Sequence, residues 1–249
     1  MIKRKYDLKI TKIPPEQQKL MTFNKNTRIA SLPLPSTVDM RSRMPAIYDQ
    51  GDLGSCTANA LCAGMQYKNN IQGSRLFLYY NERVIQNDVL TDSGAYISDG
   101  ITSLKNTGVC TETLWPYDIT KFAIRPPEIC YTDASKHKIK TASNIKNTLT
   151  IMKTALANNY PFTVGILVYS SFESSTVAAN GMVPMPKPRD TLLGGHAVLC
   201  VGYNDAKKLF IMRNSWGTSW GDKGYFYLPY AYLTSQKLSS DLWYISINT

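Results

Sequence analysis

Apolar positions in the first half of the chain recur at helical spacing. The run CTANALCAGMQY predicts a helix from Cys56 to about Tyr67, with small residues that allow close packing. The run RLFLYYNERVIQ predicts a second helix around Ser74–Gln86. DGITSLKNT predicts a short third helix over residues 99–107, which Gly108 ends. The first half is therefore expected to be mostly helical.

The second half of the chain is dominated by runs that are typical of strands. NIKNTLTIMKTALANN predicts one helix over residues 144–159. Strands are expected in the runs that follow it, PFTVGILVY, HAVLCVGY, LFIMRNSW, YFYLPYAY and LWYISI, and SLPLPSTVDMR predicts an extended entry strand before the helices. This order predicts an α+β fold of two lobes, residues 31–135 and 136–249, behind an N-terminal extension of residues 1–30.

Charge is concentrated in that extension. The chain has 249 residues and a formal net charge of +10, and residues 1–30 carry eight basic and two acidic side chains. The lobes themselves are therefore close to balanced, which argues against nucleic-acid binding by the folded part. No apolar run is long enough to span a membrane, and no apolar segment follows the first basic residues as in a signal peptide.

The cysteines suggest reduced thiols. There are five, an odd number, without a CxxC pair and far in sequence from both histidines, so no zinc site is expected. With no signal peptide visible, an intracellular or particle-packaged protein is favoured over a secreted one, although one or two disulfides remain open. We expect a monomer that needs neither metal nor cofactor.

Three segments carry candidate chemistry, QGDLGSCTANA, GGHAVLCVGY and RNSWGTSWGDKGYFYL. Cys56 opens a helix, where backbone N–H groups and the helix dipole favour a thiolate. His196 begins an apolar strand and is the better proton-transfer partner, because His137 lies in the charged run SKHKIK and is expected at the surface. Asn214 is suited to orient an imidazole, which Trp216 shields, and Gln50 is suited to donate to an oxyanion.

These segments resemble the papain-like (family C1, cathepsin-like) cysteine proteases from about Leu34 to Leu228. The order Gln–Cys–His–Asn matches, and His196 lies 140 residues after Cys56, within the family's spacing of about 130–150. Asn214, 158 residues after Cys56, lies just outside it. VDMR, SGAY, GVCTETLWPY and NSWGTSWGDKGY resemble further family blocks.

The resemblance implies a two-lobed fold, with a helical left lobe, an antiparallel β-barrel-like right lobe and the active-site cleft between them. It implies hydrolysis of peptide bonds by a thiolate–imidazolium pair through an acyl-enzyme. In it Cys56 is the nucleophile, His196 the general base and acid, Asn214 the orienting residue and Gln50 the oxyanion donor. It also implies a substrate-binding set of Gly94, Ala95, Gly165, Ala197 and Trp216, with a roomy apolar S2 pocket.

Two departures from the family pattern are visible. Its usual Cys-Gly-Ser-Cys-Trp is here Leu53-Gly54-Ser55-Cys56-Thr57, and Asp92 stands where the first of those cysteines has its disulfide partner. Both halves of that bridge are missing together. No long insertion lies between Tyr96 and Gly108, which favours an endopeptidase over a carboxydipeptidase. An aminopeptidase or peptide ligase on the same fold, or a non-catalytic peptide-binding homologue, are the alternatives.

Residues 1–30 have three interpretations. Family zymogens carry a propeptide that runs backwards through the cleft, and apolar residues and prolines among the charges favour a short prosegment of this kind over Cys56. A solvated tail and a basic anchor for an anionic partner are the other two.

Overall fold

The computed structural model describes residues 4–10 and 33–247 of the chain. These residues form seven α-helices and seven β-strands, in the α+β arrangement that the sequence predicts. The helices are α1 (Cys56–Asn69), α2 (Arg75–Ile85), α3 (Ile97–Asn106), α4 (Glu128–Ala134), α5 (Leu149–Ala157), α6 (Ser175–Asn180) and α7 (Tyr230–Thr234). The strands are β1 (Thr37–Asp39), β2 (Thr141–Asn144), β3 (Phe162–Tyr169), β4 (Leu192–Asn204), β5 (Leu209–Arg213), β6 (Tyr225–Pro229) and β7 (Ser239–Ser246).

Helix α1 runs through the centre of the molecule. Its first ten residues, from Cys56 to Met65, are all buried. Small side chains make this possible: a Cβ added at Gly64 would meet Leu199 of β4 and Ile245 of β7 at 3.6 and 3.8 Å. Helix α1 therefore packs directly against the sheet and carries Cys56 at the point where the helical elements and the strands meet.

Helices α2 and α3 pack against α1 and hold the loop that connects them. The side chain of Ser74 caps α2 by accepting a hydrogen bond from the Phe77 N–H. The buried face of α2, which includes Leu76, Phe77 and Tyr79, contributes to the core. The loop between α2 and α3 holds Asp92, Ser93, Gly94 and Ala95, so the packing of these helices fixes where that loop lies.

The strands form one antiparallel sheet in the order β2-β7-β3-β4-β5-β6, and β1 pairs with β4. Strand β4 is the longest, with 13 residues, and pairs with β1, β3 and β5. The pairing of β3 with β4 sets Gly165 opposite Ala197, and His196 precedes Ala197 on the same strand. The pairing of β4 with β5 brings the segment after β5, which begins with Asn214, back toward His196.

The predicted helix over residues 144–159 is wrong in its first third. Thr141–Asn144 form β2, because this segment pairs with β7, and helix α5 begins only at Leu149. The predicted strand YFYLPYAY is wrong in its second half. Pro229, which ends β6, stands at the N-cap of α7, where its missing N–H costs nothing.

Two short helices, α4 and α6, were not predicted. They have seven and six residues, too few for a helical period to be visible in the sequence. His137, which follows α4, is half-buried rather than exposed, and its ring lies 3.7 Å from the Asp133 carboxylate. Of the predicted extension 1–30, residues 4–10 belong to the described structure, and residues 1–3 and 11–30 lie outside it.

Candidate active site

The predicted nucleophile, Cys56, is the first residue of α1 and is 1% exposed. Its thiol lies within hydrogen-bonding reach of the backbone N–H groups of Ala197 and Thr57. The preceding turn is tight, with the Ser55 N–H donating to the Leu53 carbonyl at 2.8 Å. This turn aims the thiol at β4 across the boundary between the helices and the sheet.

His196 and Asn214, the predicted base and its orienting residue, are hydrogen-bonded. Nε2 of His196 lies 2.9 Å from Oδ1 of Asn214, and both side chains are buried. Nδ1 of His196 is buried and has no hydrogen-bond partner among the described residues, so it remains free for proton transfer. Trp216 stacks on the imidazole with ring centroids 4.8 Å apart and an interplanar angle of 21°. The ring is therefore fixed on one edge and one face.

Gln50, the predicted oxyanion donor, is connected to the same network. Its Oε1 accepts a hydrogen bond from Ser215 Oγ at 2.6 Å, and its Nε2 donates to the Leu53 carbonyl at 2.9 Å. The Ser215 N–H in turn donates to Asn214 Oδ1 at 2.9 Å. A glutamine amide has two N–H groups, so one remains for a ligand. Ser215 thus couples the predicted donor to the predicted orienting residue, a role that its place beside Asn214 in the sequence does not reveal.

Residues 4–10, here called the N-terminal strap, lie across these side chains. The Leu8 N–H donates to the Gly195 carbonyl at 3.2 Å, and the Lys9 N–H donates to the Ala95 carbonyl at 3.0 Å. The ring of Tyr6 meets those of His196 and Trp216 edge-on, at centroid distances of 6.3 and 6.0 Å. The strap therefore covers the site in which Cys56 and His196 are almost fully buried.

The strap also contacts the predicted substrate-binding residues. A Cβ added at Gly94 would lie 1.8 Å from the Asp7 carbonyl oxygen, and one added at Gly165 would lie 2.8 Å from the Leu8 side chain. Leu8 is 7% exposed, in a pocket lined by Gly165 and by the segment from Gln236 to Ser240. The Arg4 guanidinium lies 4.0 Å above the centroid of the Trp216 ring. Ala197, the remaining member of the predicted substrate-binding set, lies on the Cys56 side of the site, where its backbone N–H faces the Cys56 thiol.

The strap-covered site favours the uncharged forms of both predicted catalytic groups. Burial raises the pKa of Cys56 to about 12, against the opposing effect of the Ala197 N–H. Burial lowers the pKa of His196 to about 4, against the hydrogen bond that the imidazole donates to Asn214, and Arg4 lowers it further. Under the strap the two groups are therefore a neutral thiol and a neutral imidazole near pH 7.

Asp92 stands where the family has a bridging cysteine. It links by hydrogen bonds the two segments that the family's disulfide joins, the turn before Cys56 and the loop before α3. Its Oδ1 accepts from the Gly54 N–H at 3.0 Å and from the Tyr79 hydroxyl. Its Oδ2 pairs with the Lys5 ammonium group of the strap. All five cysteines are free thiols.

The described residues hold neither a cluster arranged for a metal ion nor a helix that could span a membrane. Among residues 4–10 and 33–247, no group of three or more His, Cys, Asp or Glu side chains is arranged to hold a metal ion. In the same part of the chain, no helix has the length and apolar character needed to cross a bilayer.

Comparisons with known proteins agree with this geometry. The model of the papain family cysteine proteases matches residues 34–242. An uncharacterized peptidase C1-like protein of Acanthamoeba polyphaga mimivirus is 38% identical, covering 98% of this chain and 85% of its own length. Cysteine proteinase 3 of Entamoeba histolytica is 30% identical over 82% of this chain, which spans 65% of that protein.

A solved structure supports the same assignment. The crystal structure of xylellain, a cysteine protease from Xylella fastidiosa, superposes with a TM-score of 0.88 and 37% identity, covering 99% of this chain and 98% of that one. The family model alone spans most of the chain and includes all four predicted catalytic positions. The chain therefore belongs to the papain family of cysteine proteases.

Proposed function

We propose that this protein is a cysteine endopeptidase whose N-terminal strap inhibits it. The observation that carries the proposal is the course of residues 4–10 over Cys56 and His196, with backbone hydrogen bonds to Gly195 and Ala95. A continuous extended segment thus occupies the cleft on both sides of the thiol. The proposal has two parts, the chemistry of the open site and the action of the strap.

In the open site, Cys56 attacks the peptide carbonyl as a thiolate. The proton is held at His196, whose Nδ1 is free and whose Nε2 is fixed by Asn214. The oxyanion receives hydrogen bonds from the Cys56 backbone N–H and from the remaining amide N–H of Gln50. His196 then passes its proton to the leaving amine, and water releases the acyl group by the reverse steps.

The direction of the strap opposes that of a substrate. The leaving amine must lie near His196 and hence near Trp216, so a substrate runs from Ala95 toward Trp216 in its N-to-C direction. The strap runs the other way, with Arg4 at Trp216 and Lys9 at Ala95. Its peptide bonds are therefore presented in reverse to the nucleophile, which favours inhibition over self-cleavage.

The cleft supports endopeptidase activity because it accepts chain on both sides of Cys56. Arg4 lies on the leaving-group side, and Leu8 and Lys9 lie on the acyl side. An aminopeptidase or carboxypeptidase needs a feature that closes one end of the cleft. Instead, a seven-residue segment crosses the site.

Substitution of Leu8 by Asp in the full chain tests both parts. A carboxylate in the apolar Leu8 pocket costs several kcal/mol, so the strap dissociates and hydrolysis of a peptide substrate rises at least about tenfold. The substrate is an internally quenched peptide that is acetylated and amidated at its ends, read by fluorescence and by mass spectrometry of the products. Ile129→Asp is the control, since Ile129 is 62% exposed on helix α4, which has no residue in the strap-contacting loop.

The outcomes separate the alternatives. Equal rates for wild type and Leu8→Asp would contradict inhibition by the strap while leaving the peptidase assignment intact. Release of terminal residues from unblocked peptides, with blocked peptides untouched, would indicate an exopeptidase. New peptide bonds between fragments would indicate a ligase. Failure of folded Leu8→Asp to cleave any peptide or to react with an E-64-type epoxide at Cys56 would indicate a non-catalytic homologue.

A further inference from the structure

Helix α2 carries a buried carboxyl, Glu82, that the proposed mechanism does not use. Glu82 is fully buried, and its Oε2 accepts a hydrogen bond from Thr57 Oγ1 at 2.7 Å. Its Oε1 is buried and has no hydrogen-bond partner among the described residues. A Cβ added at Gly100 would lie 2.5 Å from that oxygen, so the missing side chain of Gly100 makes room for the carboxyl. The Glu82 carboxyl therefore occupies a fitted space between helices α1, α2 and α3.

The charged groups around Glu82 do not neutralise it. Arg83, its neighbour on α2, donates instead to three loop carbonyls. Helix α3 brings Asp99, a second acid, and Lys9 of the strap acts on Asp99. The first ten residues of α1 carry no charged side chain, and besides the nucleophile they bring the buried Cys62 thiol. An ionised Glu82 is therefore a buried charge without a paired cation among the described residues.

Only one residue separates the Glu82 carboxyl from the nucleophile. Thr57 follows Cys56 at the start of α1, and its backbone N–H lies within hydrogen-bonding reach of the Cys56 thiol while its side chain donates to Glu82. A negative charge on Glu82 raises the pKa of Cys56. That charge opposes the thiolate more than it favours the His196 imidazolium, because Cys56 is the nearer member of the pair.

The surroundings of Glu82 favour its neutral form. Burial raises the pKa of Glu82 well above its usual range, against the hydrogen bond from Thr57, and the Asp99 charge raises it further. Below that raised pKa the neutral carboxyl still accepts the Thr57 hydrogen bond and adds no charge beside Cys56. Above it, the carboxylate opposes ionisation of the Cys56 thiol.

We infer that Glu82 is a positioning residue whose proton controls the nucleophile. Neutral, it holds Thr57 at the start of α1 and lets Cys56 form a thiolate; ionised at alkaline pH, it withdraws that thiolate. The inference deepens the proposed function, on which it rests, by naming a group that limits catalysis on the alkaline side. Thr57 stands where the family has tryptophan, which has no hydroxyl, so this hydrogen bond belongs to a departure from the family pattern.

The test is the pH dependence of one rate ratio. The kcat/KM of Leu8→Asp/Glu82→Gln is divided by that of Leu8→Asp, with the blocked quenched peptide as substrate. Groups that both chains share cancel in this ratio. The glutamine Oε1 still accepts from Thr57 and never ionises. The ratio should be near one at about pH 5 and rise to about fivefold or more by about pH 9, as Glu82 loses its proton in the parent alone.

Two further substitutions separate charge from structure. Glu128→Gln is the matched control, because it makes the same change at a glutamate of α4 whose side chain is 76% exposed, and its ratio should stay near one throughout. Thr57→Val removes the hydrogen bond that favours the ionised form of Glu82. In the Leu8→Asp background it should move the alkaline fall in kcat/KM to higher pH, and Thr57→Ser, which keeps the hydroxyl, should move it back.

The remaining outcomes decide against the inference or against the proposed function. A Glu82→Gln ratio that is flat near one overturns the inference, and so does a ratio that lies below one by the same factor at every pH, which indicates a structural role only. If the Glu82→Gln chain does not fold, an unshifted alkaline fall in Thr57→Val overturns it. If Leu8→Asp cleaves no peptide, the proposed function fails instead. The rate of Cys56 alkylation by iodoacetamide, read by mass spectrometry, then gives the same ratio, because alkylation requires only the thiolate.

Discussion

Asp7 carries a pH dependence that can be assigned to one residue. Burial and the neighbouring Asp92 raise its pKa in the docked strap, so the docked state binds this proton more tightly than the free strap does. The ionised carboxylate therefore opposes docking above that raised pKa. The opposition disappears as the pH falls to the ordinary aspartate pKa of about 3.9.

Asp7→Asn removes the opposition at all pH values. The full-length variant should show lower residual peptidase activity than wild type at neutral pH, because its strap docks more tightly. The two activities should converge as the pH falls through the window above about 3.9, where wild type becomes protonated. The measurement is the pH profile of the Asp7→Asn to wild-type activity ratio. A ratio that stays flat from neutral to acid pH would contradict the assignment.

For single residues, the sequence predicts the candidate catalytic side chains better than it predicts the residues that hydrogen-bond to them. Cys56, His196, Asn214 and Gln50 stand out because each type of side chain suits one chemical role at a recognisable place along the chain. Ser215 does not stand out, because its value lies in a 2.6 Å bond to a glutamine 165 residues away. The contacts of Asp92 with Gly54 and Lys5 also join residues that are far apart in sequence, by 38 and 87 positions. Such partners depend on tertiary packing, which the spacing of residues does not encode.

Among the elements, helix α2 anchors the loop that carries Asp92, Gly94 and Ala95. Arg83, near its C-terminal end, is fully buried, and its Nη1 donates to the carbonyls of Val89 at 2.8 Å and Thr91 at 3.2 Å. Its Nη2 donates to the Phe122 carbonyl. One side chain thus satisfies three loop carbonyls that would otherwise be buried without donors.

Arg83→Met should lower the free energy of unfolding by about 3 kcal/mol, because the carbonyls lose their donors while the apolar volume is roughly kept. Urea unfolding followed by fluorescence measures the change. Arg189→Met, at an exposed arginine in the loop before β4, is the matched control and should stay within about 0.5 kcal/mol of wild type. A similarly small effect for Arg83→Met would show that the loop is held by other contacts.

The elements also show where hydrophobic patterning succeeds and where it fails. Helices α1 to α3 and strands β3, β4 and β5 are predicted because their buried faces impose a clear period on the sequence. The segment of residues 144–159 fails because a short edge strand, β2, and helix α5 adjoin without a strong breaker between them. Residues 4–10 have too few apolar positions for any period, and their extended course depends on the backbone of the cleft.

At the scale of the whole molecule, the basic extension and the acidic side chains around the cleft belong together. The strap carries Arg4, Lys5 and Lys9 against the single acid Asp7. Arg4 lies in the field of Glu173 and Asp49, and Lys5 pairs with Asp92. The formal net charge of +10 therefore says little about an anionic partner, since part of it is used inside the molecule.

Docking of the strap also changes the charge state of the nucleophile, which a small alkylating reagent can report. Under the strap Cys56, with a pKa of about 12, is a thiol, whereas the proposed mechanism requires a thiolate beside imidazolium in the open site. Iodoacetamide should therefore modify Cys56 at pH 6 at least about tenfold faster in Leu8→Asp than in wild type. Cys56→Ser gives the background from the other four cysteines, which are buried. Equal rates in the two proteins would contradict the protecting role of the strap.

The ratio of the two iodoacetamide rates, Leu8→Asp over wild type, has a pH dependence that distinguishes proton transfer within the site from proton exchange with solvent. Docking moves one proton from His196 to Cys56 and takes none from water, as long as the open site holds the ion pair. An Asp7→Asn background removes the strap carboxyl whose pKa is raised by docking. In that background the ratio should be independent of pH at all pH values where the open site holds the ion pair. A ratio that rose or fell tenfold per pH unit there would mean that docking binds or releases a proton, and that the two groups do not act as a pair.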